Sequence, residues 1–292
     1  MTKFAGALTA LVTPFRAGAV DEAALRKLVA AQIDGGIHGL VPCGTTGESV
    51  NLSLAEYEQV VRAVVDESRG RVPVVAGAGT ASTAHTIELA QIAKRVGADG
   101  LLGVTPYYNR PGPSGLLAHF RALTAAVDLP LVLYNIPGRT GSDLTLAELH
   151  QLADNPRIIG IKEATNTVAR SMQIVQEFGD RFTVLSGDDA LTLPIMAVGG
   201  QGVISVASNV LPAQVVALVD QMRAGDLPAS RQANGALLPW IKAAYVESNP
   251  VPTKAALAML GRMESEVRLP LAPLGKASEE TVRSTLAAMG LL

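Results

Sequence analysis

The 292 residues include a single cysteine, Cys43, which has neither a partner for an internal disulfide nor a Cys-x-x-Cys companion. That scarcity makes a reducing cytoplasm the expected location. An excess of one charge is also missing: 24 Lys+Arg against 26 Asp+Glu give a formal net charge of −2, and the cations form no run. Such a balance excludes the basic surface that nucleic acid or an acidic membrane requires, so the expected partner is a neutral-to-anionic small molecule. No apolar stretch is long enough to span a membrane. Residues 5–12 imitate a signal peptide, but only Lys3 precedes them and they run into Thr13-Pro14-Phe15 without a small-residue cleavage site. They read as a strand.

Apolar residues are plentiful. At 48% hydrophobic, the chain can bury a large core, and its length fits two ordinary domains or one α/β barrel. Short apolar runs recur, each bounded by Gly, Pro or polar turns: ALTALV, GLVPC, PVVAG, GLLGVTP, PLVLYN, IIGIK, TVLSG and GVISV. Between them lie helical patterns. Residues 21–33 put Leu25, Leu28, Val29 and Ile33 on one face and stop at Gly35-Gly36, and Ser53-Leu54-Ala55-Glu56 is a capping box opening a helix through about Ser68. Eight strands alternating with helices predict an α/β fold, a parallel (β/α)8 TIM barrel, over residues 1–224. Beyond Gly225 the pattern is helix after helix, at 227–246, 251–260 and 278–289, which predicts a C-terminal helical appendage over 225–292.

Barrel enzymes build their sites at the C-terminal ends of the strands. Those ends carry Gly44-Thr45-Thr46-Gly47-Glu48, Thr105-Pro106-Tyr107-Tyr108, Tyr134-Asn135, Lys162-Glu163 and Ser186-Gly187-Asp188-Asp189. Strand alternation puts Ile158, Gly160 and Lys162 on one face and Ile159 and Ile161 on the other. With the isoleucines packed on outer helices, Lys162 points inward, and Gly160 beneath it leaves room beside the amine. A lysine with the ordinary pKa of about 10.4 is almost wholly protonated at neutral pH, so a nucleophilic one must be desolvated or lie near another cation. The competing reading is a buried structural lysine paired with Glu163 or another carboxylate. Tyr134 shares the rim and is placed to shuttle protons, unless its ring merely fills the barrel top; three of the five tyrosines stand at strand ends. Gly44-Thr45-Thr46-Gly47 offers backbone N–H groups and two hydroxyls to a carboxylate. Arg139 is suited to fork a second carboxylate, or else forms a surface salt bridge.

The motifs GTTGES (44–49), TPYYNRP (105–111), YNIPGRTG (134–141), GIKEAT (160–165), LSGDD (185–189), GVISV (202–206), NPVPTK (249–254) and RLPLAP (268–273) run in order over nearly the whole chain. Together they resemble the dihydrodipicolinate synthase (4-hydroxy-tetrahydrodipicolinate synthase) family of lysine Schiff-base class I aldolases. The resemblance implies a lyase, without metal or cofactor, that condenses pyruvate with L-aspartate 4-semialdehyde in diaminopimelate and lysine biosynthesis. It implies that Lys162 forms the imine, and that Tyr134, Thr46 and Tyr108 form a proton relay. Tyr108 would reach into the neighbouring subunit's active site, within a homotetramer of tight dimers. Thr45 and Thr46 would hold the pyruvate carboxylate, Arg139 that of the semialdehyde, and Gly187 and Ile204 would contribute backbone carbonyls. In lysine-inhibited members the effector is held by residues matching Ser49, Val50, Leu54, Tyr57, Ala81, His85 and Tyr107. Strongly inhibited members carry a carboxylate at the position of His85, an amide at that of Ala81 and an imidazole at that of Leu54, so weak or absent inhibition is implied here.

Other readings compete with this one. Gly77-Ala78-Gly79-Thr80-Ala81-Ser82 with Asp99 downstream imitates a dinucleotide fingerprint, but Ser replaces the third Gly and eight strands do not suit an open fold. Asp188-Asp189 suggests a metal, yet His38, His85, His119 and His150 fall mostly away from the rim. A non-catalytic solute-binding barrel would hold pyruvate without covalent capture. Nearer alternatives are an N-acetylneuraminate lyase or a 2-keto-3-deoxy sugar acid aldolase, which share the lysine and tyrosine but tend to differ at Thr45, Tyr108 and Arg139.

Overall fold

The structure, a computed structural model, describes residues 4–292. Strand β1 (Gly6–Ala10) is followed by a short antiparallel hairpin of β2 (Phe15–Arg16) and β3 (Ala19–Val20). The remaining strands are β4 (Gly39–Val41), β5 (Val75–Gly77), β6 (Gly100–Val104), β7 (Leu131–Asn135), β8 (Ile158–Glu163), β9 (Thr183–Ser186) and β10 (Gly202–Ser205). Hydrogen-bonded neighbours run β4-β1-β10-β9-β8-β7-β6-β5. A parallel bridge between Leu40 and Val74 joins the two ends of that order. This is the TIM barrel that the alternating runs predict, with helices around it.

The local signals act as read. Asp21 caps the helix Glu22–Asp34 by accepting from Ala24 N, and Leu25, Leu28 and Val29 are buried on its inner face. At Ser53 the capping box is complete: the Ser53 hydroxyl accepts from Glu56 N, and Ser53 N donates back to Glu56 at 2.9 Å, opening the helix Leu54–Ser68. Two otherwise orphaned donors are thereby satisfied.

The strands are covered on both sides, which is why they read as continuous apolar runs. Inside the barrel lie Phe4, Leu8, Val41, Val75, Leu102, Val132, Leu185 and Ile204. Outside, Leu101, Leu131, Leu133, Ile161, Val184 and Val203 pack on the helices.

One strand departs from simple alternation. Along β7 and β8, Leu131 pairs with Ile158 but Val132 pairs with Gly160, so β8 carries one extra residue. This β-bulge resets the pleat. Ile158 therefore joins the outer core and Ile159 the inner one, the reverse of the expected faces, whereas Ile161 outward and Lys162 inward follow expectation. Gly160 also serves a different purpose from the one expected. A Cβ there would stand 2.5 Å from the Thr183 carbonyl oxygen, so its missing side chain admits the backbone of β9 rather than a ligand.

The C-terminal helices are Leu227–Ala243, Val251–Met259 and Lys276–Ala288. The first ends at Ala243, before the expected residue 246, and turns lead on to Pro250. Fully buried Trp240 donates Nε1 to the Ala207 carbonyl at 3.1 Å, anchoring this region beside the end of β10.

Candidate active site

At the C-terminal end of the barrel a cavity of about 710 Å³ is lined by Thr45, Thr46, Tyr134, Arg139, Lys162 and Gly187. Asp188, Lys242, Tyr245 and Asn249 complete its wall, the last three from beyond residue 224. A second cavity of about 760 Å³ shares Thr45, Tyr134 and Arg139 and adds Ser49, Val50, Tyr107 and Tyr108. Lys162 opens only into the smaller cavity, which is therefore the candidate site.

Lys162 is 5% exposed, and its Nζ lies 4.2 Å from the centre of the Tyr134 ring. The two residues are register partners on adjacent strands, so the barrel backbone itself sets their contact. Among the described residues no carboxylate lies within ion-pair distance of Lys162. Glu163 faces away: its carboxylate accepts from Thr165 N at 2.7 Å and Asn135 Nδ2 at 3.3 Å, and burial pushes its pKa up. The structural pairing that competed with a nucleophilic reading is therefore not made.

The loop after β4 is folded tightly, with Gly47 N and Glu48 N donating to the carbonyls of Gly44 and Thr45 at 3.1 Å each. Among the described residues the Thr45 and Thr46 amides find no acceptor within the chain. Two free N–H groups beside a hydroxyl-bearing pair form a cradle for a carboxylate. Arg139 lies within the short helix Pro137–Thr140 and lines both cavities, and among the described residues no carboxylate comes within ion-pair distance of it. An unpaired guanidinium on a cavity wall suits an incoming anion.

Two of the expected residues lie apart from the lysine cavity. Tyr108 is 93% exposed at the mouth of the larger cavity, with φ at +71°, a left-handed conformation that a tyrosine rarely adopts. Ile204 lines neither cavity; its side chain belongs to the inner core, opposite Leu8 of β1.

The features that imitated other functions have structural partners. Asp189 accepts from the Ser205 hydroxyl and from Val206 N and Ala207 N at 2.9 and 3.0 Å, tying the loop after β10. Asp99 accepts from Val74 N at 2.8 Å. Among the described residues no cluster of His, Cys, Asp or Glu is suited to a metal ion.

Sequence reading assigned no role to the residues that brace the cradle. Asn249 Nδ2 donates to Thr46 Oγ1 at 3.0 Å. Lys254 Nζ pairs with Glu48 Oε1 at 2.7 Å with both side chains buried, and Arg268 N donates to Glu48 Oε2 at 3.0 Å. Phe15 lies under both cations, 4.3 Å from Lys254 Nζ and 4.2 Å from the Arg268 guanidinium carbon. The motifs NPVPTK and RLPLAP contain these residues, and their place in those two motifs is the one signal that pointed to them.

Comparison with known proteins agrees with this geometry. The sequence profile of the Dihydrodipicolinate synthetase family matches residues 3–289. The 4-hydroxy-tetrahydrodipicolinate synthase of Nitratidesulfovibrio vulgaris (strain DP4) is 48% identical over 293 residues, covering 99% of this chain and 100% of its own. That of Geobacter sp. (strain M21) is 50% identical over 275 residues, covering 94% and 95%. The solved 4-hydroxy-tetrahydrodipicolinate synthase of Methylacidiphilum fumariolicum SolV superposes with a TM-score of 0.97 at 45% identity, covering 99% of this chain and 96% of that one. An inward lysine against a tyrosine, a carboxylate cradle and an end-to-end match in sequence and fold together establish that the chain belongs to the dihydrodipicolinate synthetase family.

Proposed function

We propose that this chain condenses pyruvate with L-aspartate 4-semialdehyde to give 4-hydroxy-tetrahydrodipicolinate, through an imine on Lys162. The observation that carries the reading is the buried, carboxylate-free Lys162 amine set against the Tyr134 ring in a cavity with two separate places for carboxylates. Lys162 Nζ attacks the ketone carbon of pyruvate, and water leaves as the imine forms. The protonated imine nitrogen then takes up the electron pair released when the methyl group loses a proton. The resulting enamine carbon attacks the aldehyde, and the second substrate's own amine displaces Lys162 as the ring closes.

The free Thr45 and Thr46 amides support placing the pyruvate carboxylate on the cradle, and the unpaired guanidinium of Arg139 supports placing the semialdehyde carboxylate there. Tyr134 and Thr46 serve as proton carriers beside the lysine. Gly187, on the cavity wall, and Ile204, whose side chain lies in the inner core, each offer a backbone carbonyl. The barrel of 1–224 carries the chemistry, and the helices of 225–292 close one side of the cavity. Tyr108 completes the relay of a neighbouring subunit. Its exposure and strained backbone support that role, since an aromatic ring projected into solvent gains its burial from a partner. The assembly is a homotetramer of tight dimers, and among the described residues no helix is long and apolar enough to cross a membrane. A single buried cysteine suits a cytoplasmic location.

Borohydride added with pyruvate tests the reading. It should inactivate the protein and leave a pyruvate-derived mass on Lys162, because only an imine is reduced to a stable secondary amine. A label at another residue, or none, refutes the mechanism.

A further inference from the structure

The loop after β7 carries Arg139, and its two ends are held in different ways. Toward β8 the tie is Asn135, whose Nδ2 donates to Asp143 at 2.8 Å and whose Oδ1 accepts from Leu144 N at 3.1 Å. Next to Arg139 the tie is a hydroxyl. Thr140, 4% exposed, accepts from the Thr105 hydroxyl at 3.1 Å and from Ser142 N at 3.2 Å. Its own proton is shared between the carbonyls of Ser142 at 2.9 Å and Ile136 at 3.1 Å. A hydroxyl has one proton and two lone pairs, so every position on this oxygen is in use.

Thr105 belongs to a different loop, the one after β6 that runs on to Tyr108, and its side chain is fully buried. The two loops also meet on either side of this bond. Ser142 Oγ donates to the Pro106 carbonyl at 3.0 Å. Gly141, with φ at +71°, lies so close to Arg110 that a Cβ there would stand 2.5 Å from Nε. The residues directly after Arg139 are thus fastened to the neighbouring loop, while Arg139 itself lines the lysine cavity.

We infer that Thr140 is a positioning residue for the second substrate: by joining the loop after β7 to Thr105, it fixes where the Arg139 guanidinium stands in the cavity. This rests on the reading above that Arg139 takes the semialdehyde carboxylate. A guanidinium fork needs both of its N–H groups aligned with both oxygens, and a displacement of about 1 Å can cost roughly a hundredfold in rate. Asn135 already secures the base of the loop, so what Thr140 adds is the placement of its crest. Lys162 and Tyr134 do not depend on this hydroxyl, because the pairing of β7 with β8 sets them. Its loss is therefore selective between the substrates.

Thr140→Val keeps the shape of the side chain and removes the oxygen, so the Thr105 hydroxyl and Ser142 N–H lose this acceptor. The expected result is a fall of roughly tenfold in kcat/KM for the semialdehyde, carried by KM, with borohydride trapping of pyruvate on Lys162 at the wild-type rate. Thr140→Ser, which restores the oxygen, should recover most of the loss. In an Arg139→Ala background Thr140→Val should cost nothing further, because the group it positions is gone. An equal fall in that background overturns the inference. So does a Thr140→Val protein within about twofold of wild type, or a loss shared equally by both half-reactions, which a general loosening of the fold produces. If Thr140→Val does not fold, Thr105→Val cuts the same bond from the other loop and should show the same selective loss; its absence refutes the proposal. Arg139→Ala that leaves semialdehyde use intact instead removes the reading of Arg139 on which this one stands, and the inference with it.

Discussion

Replacing Lys254 with methionine should be among the most damaging single changes outside the cavity. The side chains of Lys254 and Glu48 are 0% and 1% exposed, with Nζ and Oε1 2.7 Å apart. Methionine keeps the length of the chain and its packing on Phe15, but it leaves the Glu48 carboxylate buried with the Arg268 N–H as its remaining partner at 3.0 Å. Stranding one member of a buried pair costs about 3–5 kcal/mol. The pair as a whole is worth much less than that. Burial outweighs the attraction of Glu48 in setting the proton affinity of Lys254, and pulls its pKa below the ordinary lysine range. Converting both partners to neutral residues, Glu48→Gln with Lys254→Met, should therefore recover most of the loss. Urea unfolding of the two single variants and the double variant, at one fixed protein concentration, forms a complete cycle. The expected coupling is at least about 2–3 kcal/mol, the upper part of the range for residues in one network. The pyruvate KM should rise in Lys254→Met, because the pair braces the carboxylate cradle. A Lys254→Met protein within about 1 kcal/mol of wild type, a surface-pair value, refutes the claim that this pair is a desolvated brace. So does a double variant no better than the worse single.

Arg139→Ala should lower kcat/KM for the semialdehyde by roughly tenfold to a hundredfold while pyruvate trapping on Lys162 proceeds at its normal rate, because a lost charge-assisted fork costs about 1.5–3 kcal/mol. Equal damage to both half-reactions would make Arg139 structural. Mixed dimers of Tyr108→Phe with Lys162→Ala subunits should regain activity, since one composite site would then hold both native groups; inactive dimers of verified composition argue that each site is built from one chain. L-lysine should inhibit weakly, with half-inhibition no lower than about 1 mM, the affinity range of a ligand lacking a strong anchor. His85 stands where a carboxylate would be needed and already engages Glu88 at 3.2 Å, and the Ala81 carbonyl is taken by Asn109 Nδ2 at 2.9 Å; a titration with half-inhibition far below millimolar would show another anion at work. Buried His119 has its pKa pushed down to about 4 from 6.5 by desolvation. The unfolded chain therefore binds more protons between those values, and about 3 kcal/mol of stability present above pH 6.5 is lost as pH falls toward 4. The stability difference between wild type and His119→Gln should narrow over that window, and a constant difference contradicts the assignment.

The barrel and its reactive rim were legible because each depends on short-range pattern. Apolar runs punctuated by glycine announce buried parallel strands, and Lys162 and Tyr134 stand at the ends of two such runs that lie side by side. The bulge in β8 was not legible for a definite reason: Ile158, Ile159 and Ile161 are apolar whichever face they take, so a one-residue slip leaves no trace in the hydrophobic pattern. The left-handed backbone of Tyr108 is invisible because nothing local demands it. Asn249, Lys254 and Arg268 escaped because their partners, Thr46 and Glu48, lie more than 200 positions away. Local periodicity carries no information over that distance.

Those same long spans bear on when a newly made chain becomes competent. The cradle at Thr45 and Thr46 belongs to the first sixth of the polypeptide, yet its braces lie 203, 206 and 220 residues downstream. At about 5–20 residues per second, a ribosome emits the reactive lysine and tyrosine many seconds before it emits the residues that set the cradle. Contacts of such separation also bear the largest loop-closure cost. The nascent barrel therefore passes through an interval in which its strands can pair while its substrate loop is unbraced, and a chain stopped short of Asn249 stays in that condition permanently.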